Sequence, residues 1–400
     1  MPHKLFSLLL CLTCLASCGR PSKKSKEQFL APVFESKVNR GLAFTGVDLY
    51  YSSSDLFYYD YQQGLIFGLL YGQSGDSALW SLNQNLVLFN RTPTHHNYVL
   101  FEKAKPGSYF LKQETRGEFE KGDPNHVLSL NNGHWLVSYF GKGKVTKINP
   151  ETGKEEQKLK FLAGTPFHPA SMFKRAIDGI TYIFIAAIGI EVDPANYKTV
   201  ANGKQGIFLV REDEQGLTVL NQGKPIALPK ASNPGFYHTD EIFPMVAGLC
   251  YVGTKGCRQS IEYLDIPKAV TLASSEQILT NSRNLDEDLF TMNGSLCDGS
   301  DADSLFANVV FNKDYESFKK GGKYLVNIEN KEKIGIELVH HYAHPDSSGS
   351  YLLLADKNIR TLYFGDISGD RQASLNIIHH GIKEIIPMQR IPYHGALVPQ

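Results

Sequence analysis

Pro124-Asn-His-Val-Leu-Ser-Leu-Asn-Asn-Gly-His-Trp-Leu-Val-Ser-Tyr-Phe140, followed by Gly143-Lys-Val-Thr-Lys-Ile-Asn-Pro-Glu-Thr-Gly153, decides the fold. Short apolar runs rich in Val, Ile, Tyr and Trp alternate here with Gly and Asn clusters. They read as a strand, a turn at Gly133, a second strand, a turn near Gly143, and a third strand ending in Asn-Pro-Glu-Thr-Gly. From Leu42 onward the rest of the chain has the same texture, and no amphipathic helical period lasts beyond about two turns. The chain is therefore read as all-β and built from hairpins.

Partial copies of this unit recur. Ile180-Thr-Tyr-Ile-Phe-Ile185 follows Gly179, Leu249-Cys-Tyr-Val252 follows Gly248, and Leu296 follows Gly294. Tyr351-Leu-Leu-Leu354 follows Gly349, Leu65-Ile-Phe-Gly-Leu-Leu-Tyr71 follows Gly64, and Ile385–Arg390 leads to Gly395-Ala-Leu-Val398. Glu241-Ile-Phe-Pro-Met245, Asp288-Leu-Phe-Thr-Met292 and Glu384-Ile-Ile-Pro-Met388 also match one another. Repetition at a period of some 40–50 residues marks stacked units that bury their faces only on neighbours. The stretch 124–154 resembles one blade of the YVTN/NHL-like β-propellers. That resemblance implies a β-propeller over 41–400, and the anchor glycines 64, 133, 179, 248, 294, 349 and 395 give seven units, so a seven-bladed β-propeller is expected. The last unit is short, so Leu42–Tyr51 is expected to complete it and close the ring, hiding the open sheet edges. Two β-sandwich domains are the alternative.

The N-terminus carries an address. Lys4 precedes an apolar run from Leu5 to Leu15, shorter than the roughly 20 residues a membrane-spanning helix needs, and this suits a secretory signal. Leu15-Ala16-Ser17-Cys18 resembles the bacterial lipobox, which implies removal of residues 1–17 and lipidation at Cys18. Gly19 stands where an Asp would favour inner-membrane retention, so the resemblance implies the outer membrane. Residues 18–40 read as a lipidated tether, too polar around Lys23, Lys24 and Lys26 to pack. Cys250 and Cys257 flank a turn-like Gly253-Thr254-Lys255-Gly256 and are candidates for a disulfide, which an exported compartment permits.

Lys and Arg number 41 and so do Asp and Glu, so no net field argues for nucleic acid. There is no G-x-S-x-G elbow, P-loop or zincin motif. Of the 13 histidines, seven stand near the start of an inferred innermost strand: His126, His168, His238, His340, His341, His379 and His380. Asp240, Glu241, Glu287, Asp288 and Glu384 take comparable places. In a propeller these strands line a central channel, so a ring of imidazoles and carboxylates at its mouth is expected. The candidate ligand or metal site is His126, His168, His238, Glu241, Asp288, His340, His380 and Glu384. Such a ring suits a divalent metal, through neutral imidazole and carboxylate, or a polar ligand. Asp298-Gly-Ser-Asp301-Ala-Asp303 lacks the terminal Glu of an EF-hand and reads as an acidic turn.

The leading functional reading is a non-catalytic, lipid-anchored propeller that binds an envelope protein or polysaccharide. A metal-dependent hydrolase or lactonase-like enzyme at the channel mouth is the alternative.

Overall fold

In the strand Trp135–Tyr139 all five residues are buried. Leu136 faces one neighbouring sheet and Val137 the other. A strand covered on both sides reads as a continuous apolar run rather than an alternation, and that condition recurs around the molecule. The computed structural model describes residues 32–35, 41–48, 52–61, 64–91, 97–105, 108–116, 123–162, 168–192, 199–228, 230–250, 254–285, 296–298, 305–309, 324–327, 352–367, 372–380 and 382–398.

Strand β1 (Pro32–Glu35) is followed by β2 (Gly41–Val47), β3 (Ser53–Asp60) and β4 (Leu65–Ser74). A second sheet holds β5 (Ser77–Leu82), β6 (Asn85–Asn90), β7 (Asn97–Lys105) and β8 (Ser108–Arg116), with β1 added beside β8. The opening stretch of sequence forms the third, β9 (Pro124–Ser129), β10 (Trp135–Tyr139), β11 (Lys144–Ile148) and β12 (Glu155–Lys158). The fourth opens with β13 (His168–Ile177) and β14 (Ile180–Ile188), after which the chain makes a separate two-stranded ribbon of β15 (Ile190–Val192) and β16 (Thr199–Ala201). That sheet is completed by β17 (Gly206–Asp213), β18 (Gly216–Val219) and β19 (Ile226–Ala227). The fifth holds β20 (Gly235–Tyr237), β21 (Met245–Gly248), β22 (Ser260–Leu264) and β23 (Leu279–Asn284). Two short helices, α1 (Ile266–Val270) and α2 (Ser275–Ile278), lie between β22 and β23. The sixth has β24 (Leu296–Asp298), β25 (Leu305–Val309) and β26 (Tyr324–Asn327), and the seventh β27 (Leu353–Asp356), β28 (Thr361–Ile367), β29 (Ala373–His379) and β30 (Ile382–Met388). Last comes β31 (Ile391–Leu397), which returns to the first sheet in the order β31-β2-β3-β4.

The pairing within each sheet is antiparallel. Among the described residues, the first strands β5, β9, β13, β20, β24, β27 and β31 each touch the next, and β31 touches β5, so the circuit closes. The cores run in the same order. Val127, Trp135 and Tyr139 pack on Val87, Phe89 and Tyr98 of the second sheet. Leu136 and Val145 pack on Met172, Ile183 and Phe208 of the fourth. Leu42, Phe44 and Tyr59 pack on Tyr363, Leu375 and Ile377 of the seventh. Two separate sandwiches are not formed, because each of these sheets spends its two faces on two different neighbours.

Local chemistry explains the unit's turns. Gly133 sits at φ +82° between β9 and β10, a conformation that favours glycine. After β11 the Asn149 side chain accepts from the N–H groups of Glu151 and Thr152 at 2.9 and 3.3 Å. Gly153, at φ +73°, donates back to the Asn149 carbonyl. The Asn-Pro-Glu-Thr-Gly ending is thus an Asx-type turn.

Two sequence expectations are corrected. The anchor glycines are not equivalent: Gly133 and Gly179 lie in the turn after a first strand, Gly64 lies between β3 and β4, Gly248 ends β21, and Gly395 is inside β31. Gly294 and Gly349 lie outside the described residues. Closure also differs in detail. One C-terminal strand, not two, joins three N-terminal ones, while Ile385–Met388 belongs to β30 at the outer edge of the seventh sheet. Seven residues of β2 face β3, and β2 pairs β31 from Leu42↔Leu397 to Val47↔Ile391. Arg390 clasps this corner, reaching Asp55 at 3.1 Å and Asp48 at 3.4 Å.

Cys250 and Cys257 are joined by a disulfide, with Cα atoms 5.9 Å apart. Between them Lys255 docks on the β15–β16 ribbon, its carbonyl accepting from the Ala201 N–H and its N–H donating to the Thr199 carbonyl. Among the described residues no helix is long and apolar enough to cross a membrane.

Leu42 is fully buried at the closure, whereas Leu162 is 62% exposed. Leu42→Ala should cost about 2–5 kcal/mol in urea unfolding, and Leu162→Ala under about 0.5 kcal/mol. Equal costs would mean that the closure contributes little to stability.

Candidate ligand-binding channel

Six of the seven first strands contribute to one cavity of about 740 Å³. Side chains of the seventh, β24, are outside the described residues. Trp80 comes from β5, Asn125 and His126 from β9, Ala170 from β13, Tyr237 from β20, Leu353 and Asp356 from β27, and His394 from β31. Turns add Asp240, Lys357 and Asn358. The cavity therefore lies where the inner edges of the sheets converge, and its volume is typical of a small-molecule site.

Trp80 stands between two imidazoles. Its ring centroid is 4.6 Å from that of His126 and 5.1 Å from that of His394. The Leu79 N–H donates to His394 Nδ1 at 3.2 Å, which leaves the proton of the neutral ring on Nε2. Neither histidine is held by an acid. Burial pulls the His126 imidazole down to about 4. Burial, then the facing Arg91 guanidinium, pulls His394 down to about 3. Both rings are neutral at pH 7 and act as hydrogen-bonding groups rather than charges.

Beside them Arg91, with a side chain 12% exposed, meets Asp76 at 2.5 Å and Asp123 at 3.7 Å. Tyr393 donates to the same Asp76 oxygen at 2.8 Å. A buried guanidinium demands such compensation, since an unpaired buried charge is costly. Burial, reinforced by Asp76, raises the Tyr393 phenol well above its ordinary value. Lys357 is held in turn by Asp240 at 3.3 Å and by His238 Nδ1 at 3.3 Å.

The sequence-derived ring is only partly assembled. His126 lies on the cavity wall. His238, at φ +49° just after β20, reaches the rim through Lys357. His168 turns away: its Nδ1–H donates to the Phe140 carbonyl at 3.0 Å, and its ring stacks on Phe140. The Glu241 carbonyl accepts from Arg175 at 2.9 Å, and its side chain is exposed. His380, at φ +48° in the turn after β29, contacts His379 on the outer part of its sheet. Glu384 is exposed on β30, the outermost strand. His380 and Glu384 are thus corrected from channel to rim. Asp288, His340, His341, Glu287 and Cys18 lie outside the described residues. Among the described residues no group of three His, Cys, Asp or Glu side chains is placed to hold a metal ion. Near the N-terminus, Tyr58 and Tyr59 are buried between sheets.

Trp80, Arg91, Tyr393 and His394 escaped the sequence reading. None carries a motif, and Arg91 lies in the turn beyond β6 rather than on an inner strand. His394 lies on β31, which the sequence reads as a second strand but which sits beside β5 at the inner edge of the first sheet.

No family model matches the chain, and no curated protein matches it in sequence. Solved structures do match. A putative 6-phosphogluconolactonase from Bacteroides uniformis shares 11% identity at a TM-score of 0.50, over 90% of this chain and 100% of its own. A protein from Lactobacillus plantarum is also 11% identical at 0.50, over 90% and 99%. The fold is a β-propeller. Identity this low carries the likeness to the architecture and no further, because propellers host unrelated activities.

The two channel imidazoles titrate lower in the folded chain than the ordinary 6.5. Between those values the unfolded chain binds more protons, so stability is lost as the pH falls from 6.5 toward 4. A His126→Gln/His394→Gln chain should lose less melting temperature than the parent between about pH 7 and about pH 4.5. An equal loss would remove these histidines as the source.

Proposed function

We propose that the chain is a lipid-anchored propeller of the bacterial cell envelope that binds an envelope partner, protein or polysaccharide, in its channel without catalysis. The observation that carries this reading is the Trp80 ring set between two neutral imidazoles on the cavity wall. General acid–base catalysis works best when the catalytic group titrates near the working pH. His126 and His394 titrate far below it. The two cations of the wall are engaged by carboxylates. A site of neutral hydrogen-bonding groups around an aromatic ring suits recognition.

His126, His168 and His238 serve three separate places, so these three histidines do not converge as one ligand set for the metal-dependent hydrolase reading. Anchoring at Cys18 and the outer-membrane address rest on the lipobox-like sequence and on Gly19.

A photo-crosslinking residue at Asn358, in the full lipidated chain within intact envelopes, should capture a discrete partner. The same residue at Glu384, exposed on the outer strand, should not. Equal capture at both positions, or none at Asn358, would sink the channel reading. Cys18→Ser should shift the chain from the membrane to the soluble fraction, and unchanged membrane recovery would remove the lipid anchor.

A further inference from the structure

We infer that the wall formed by Trp80, His126 and His394 recognises an uncharged, hydroxyl-rich ligand, a saccharide unit, rather than an anion or a metal ion. The inference rests on the channel reading above and names the chemistry of what enters it.

The wall's polar groups are arranged for hydroxyls. His126 Nδ1 is buried without a hydrogen-bond partner among the described residues. His394 spends Nδ1 on the Leu79 N–H and keeps a donor at Nε2. A hydroxyl both donates and accepts, so it can satisfy an imidazole nitrogen in either tautomer. An anion offers acceptors alone and an ammonium offers donors alone. Leaving a buried polar atom unmatched is costly, and a ligand hydroxyl that reaches it would recover that cost.

The charges point the same way. Arg91 is matched by Asp76 and Asp123, and Lys357 by Asp240. Asp356, also on the wall, accepts from the Asn358 N–H at 3.0 Å. No unmatched cation among these groups awaits a phosphate or carboxylate. A metal ion fares no better, because three ligating side chains do not converge among the described residues. Trp80, half-buried on the cavity wall, adds an apolar body and a polar N–H, which suit a sugar ring. The cavity of about 740 Å³ can take more than one ring.

The test is calorimetric titration of the full chain in a sugar-free detergent. The probes are maltotetraose, cellotetraose and chitotetraose, with 6-phosphogluconate and Zn²⁺ as charged counterparts. At least one neutral oligosaccharide should bind saturably, and the charged probes should bind more weakly or not at all. His126→Phe, which keeps a ring but removes both nitrogens, should weaken that binding about tenfold. His126→Gln, which restores an amide donor and acceptor, should recover most of it. Tryptophan fluorescence gives a second readout, since the chain has two tryptophans and Trp135 is only 4% exposed. The proposal is overturned if no neutral oligosaccharide binds, if a charged probe binds more tightly, or if His126→Phe binds as well as the parent. A partner crosslinked from Asn358 beside a failed oligosaccharide panel would overturn the saccharide assignment and leave the channel reading standing. Failure of both experiments would end both.

Discussion

The antiparallel ladder between Gly41–Val47 and Ile391–Leu397 is the contact on which the rest of the molecule depends. Each sheet covers its neighbours, so an unclosed ring would leave two sheets with an apolar face and an unpaired edge in water. Residues some 350 positions apart therefore meet: Thr45 donates to the His394 carbonyl and accepts from the His394 N–H. The entropy of joining distant chain segments grows only slowly with their separation, while the buried faces of Leu42, Phe44 and Ala43 are gained in full.

Closure also makes the site. His394 belongs to the last strand and Trp80 to the second sheet, and they become neighbours because β31 lies beside β5. Arg91, Asp76 and Tyr393 join the same two parts of the chain through one buried ionic network. Such a network stabilises weakly as a whole but is costly to break at one member. Fold closure and cavity chemistry thus share residues, and the imidazoles are kept neutral by the same packing that closes the ring.

Part of the site was legible and part was not, for a specific reason. His126 could be placed because its hairpin, with Gly133 and the Asn-Pro-Glu-Thr-Gly turn, marks strand order unambiguously. Glu384 and His380 were misplaced because Glu-Ile-Ile-Pro-Met resembles Glu-Ile-Phe-Pro-Met, although one lies on an outermost strand and the other leads into a second strand. Short apolar strands look alike wherever they sit in a sheet, since inner and outer strands are covered by the same kinds of neighbour. His168 was placed on the right strand, yet its orientation toward the Phe140 carbonyl depends on a contact with the preceding sheet.

By itself the sequence determined the all-β class, the hairpin texture and the serial packing, because strand periodicity and turn chemistry act over a few residues and are written locally. Only the tertiary structure decided which strands face the axis, that Trp80 lies between His126 and His394, and that Arg91 and Lys357 are already neutralised. Those facts arise where separate sheets converge, and the distance between two side chains there is set by ring closure, which no local stretch of sequence encodes.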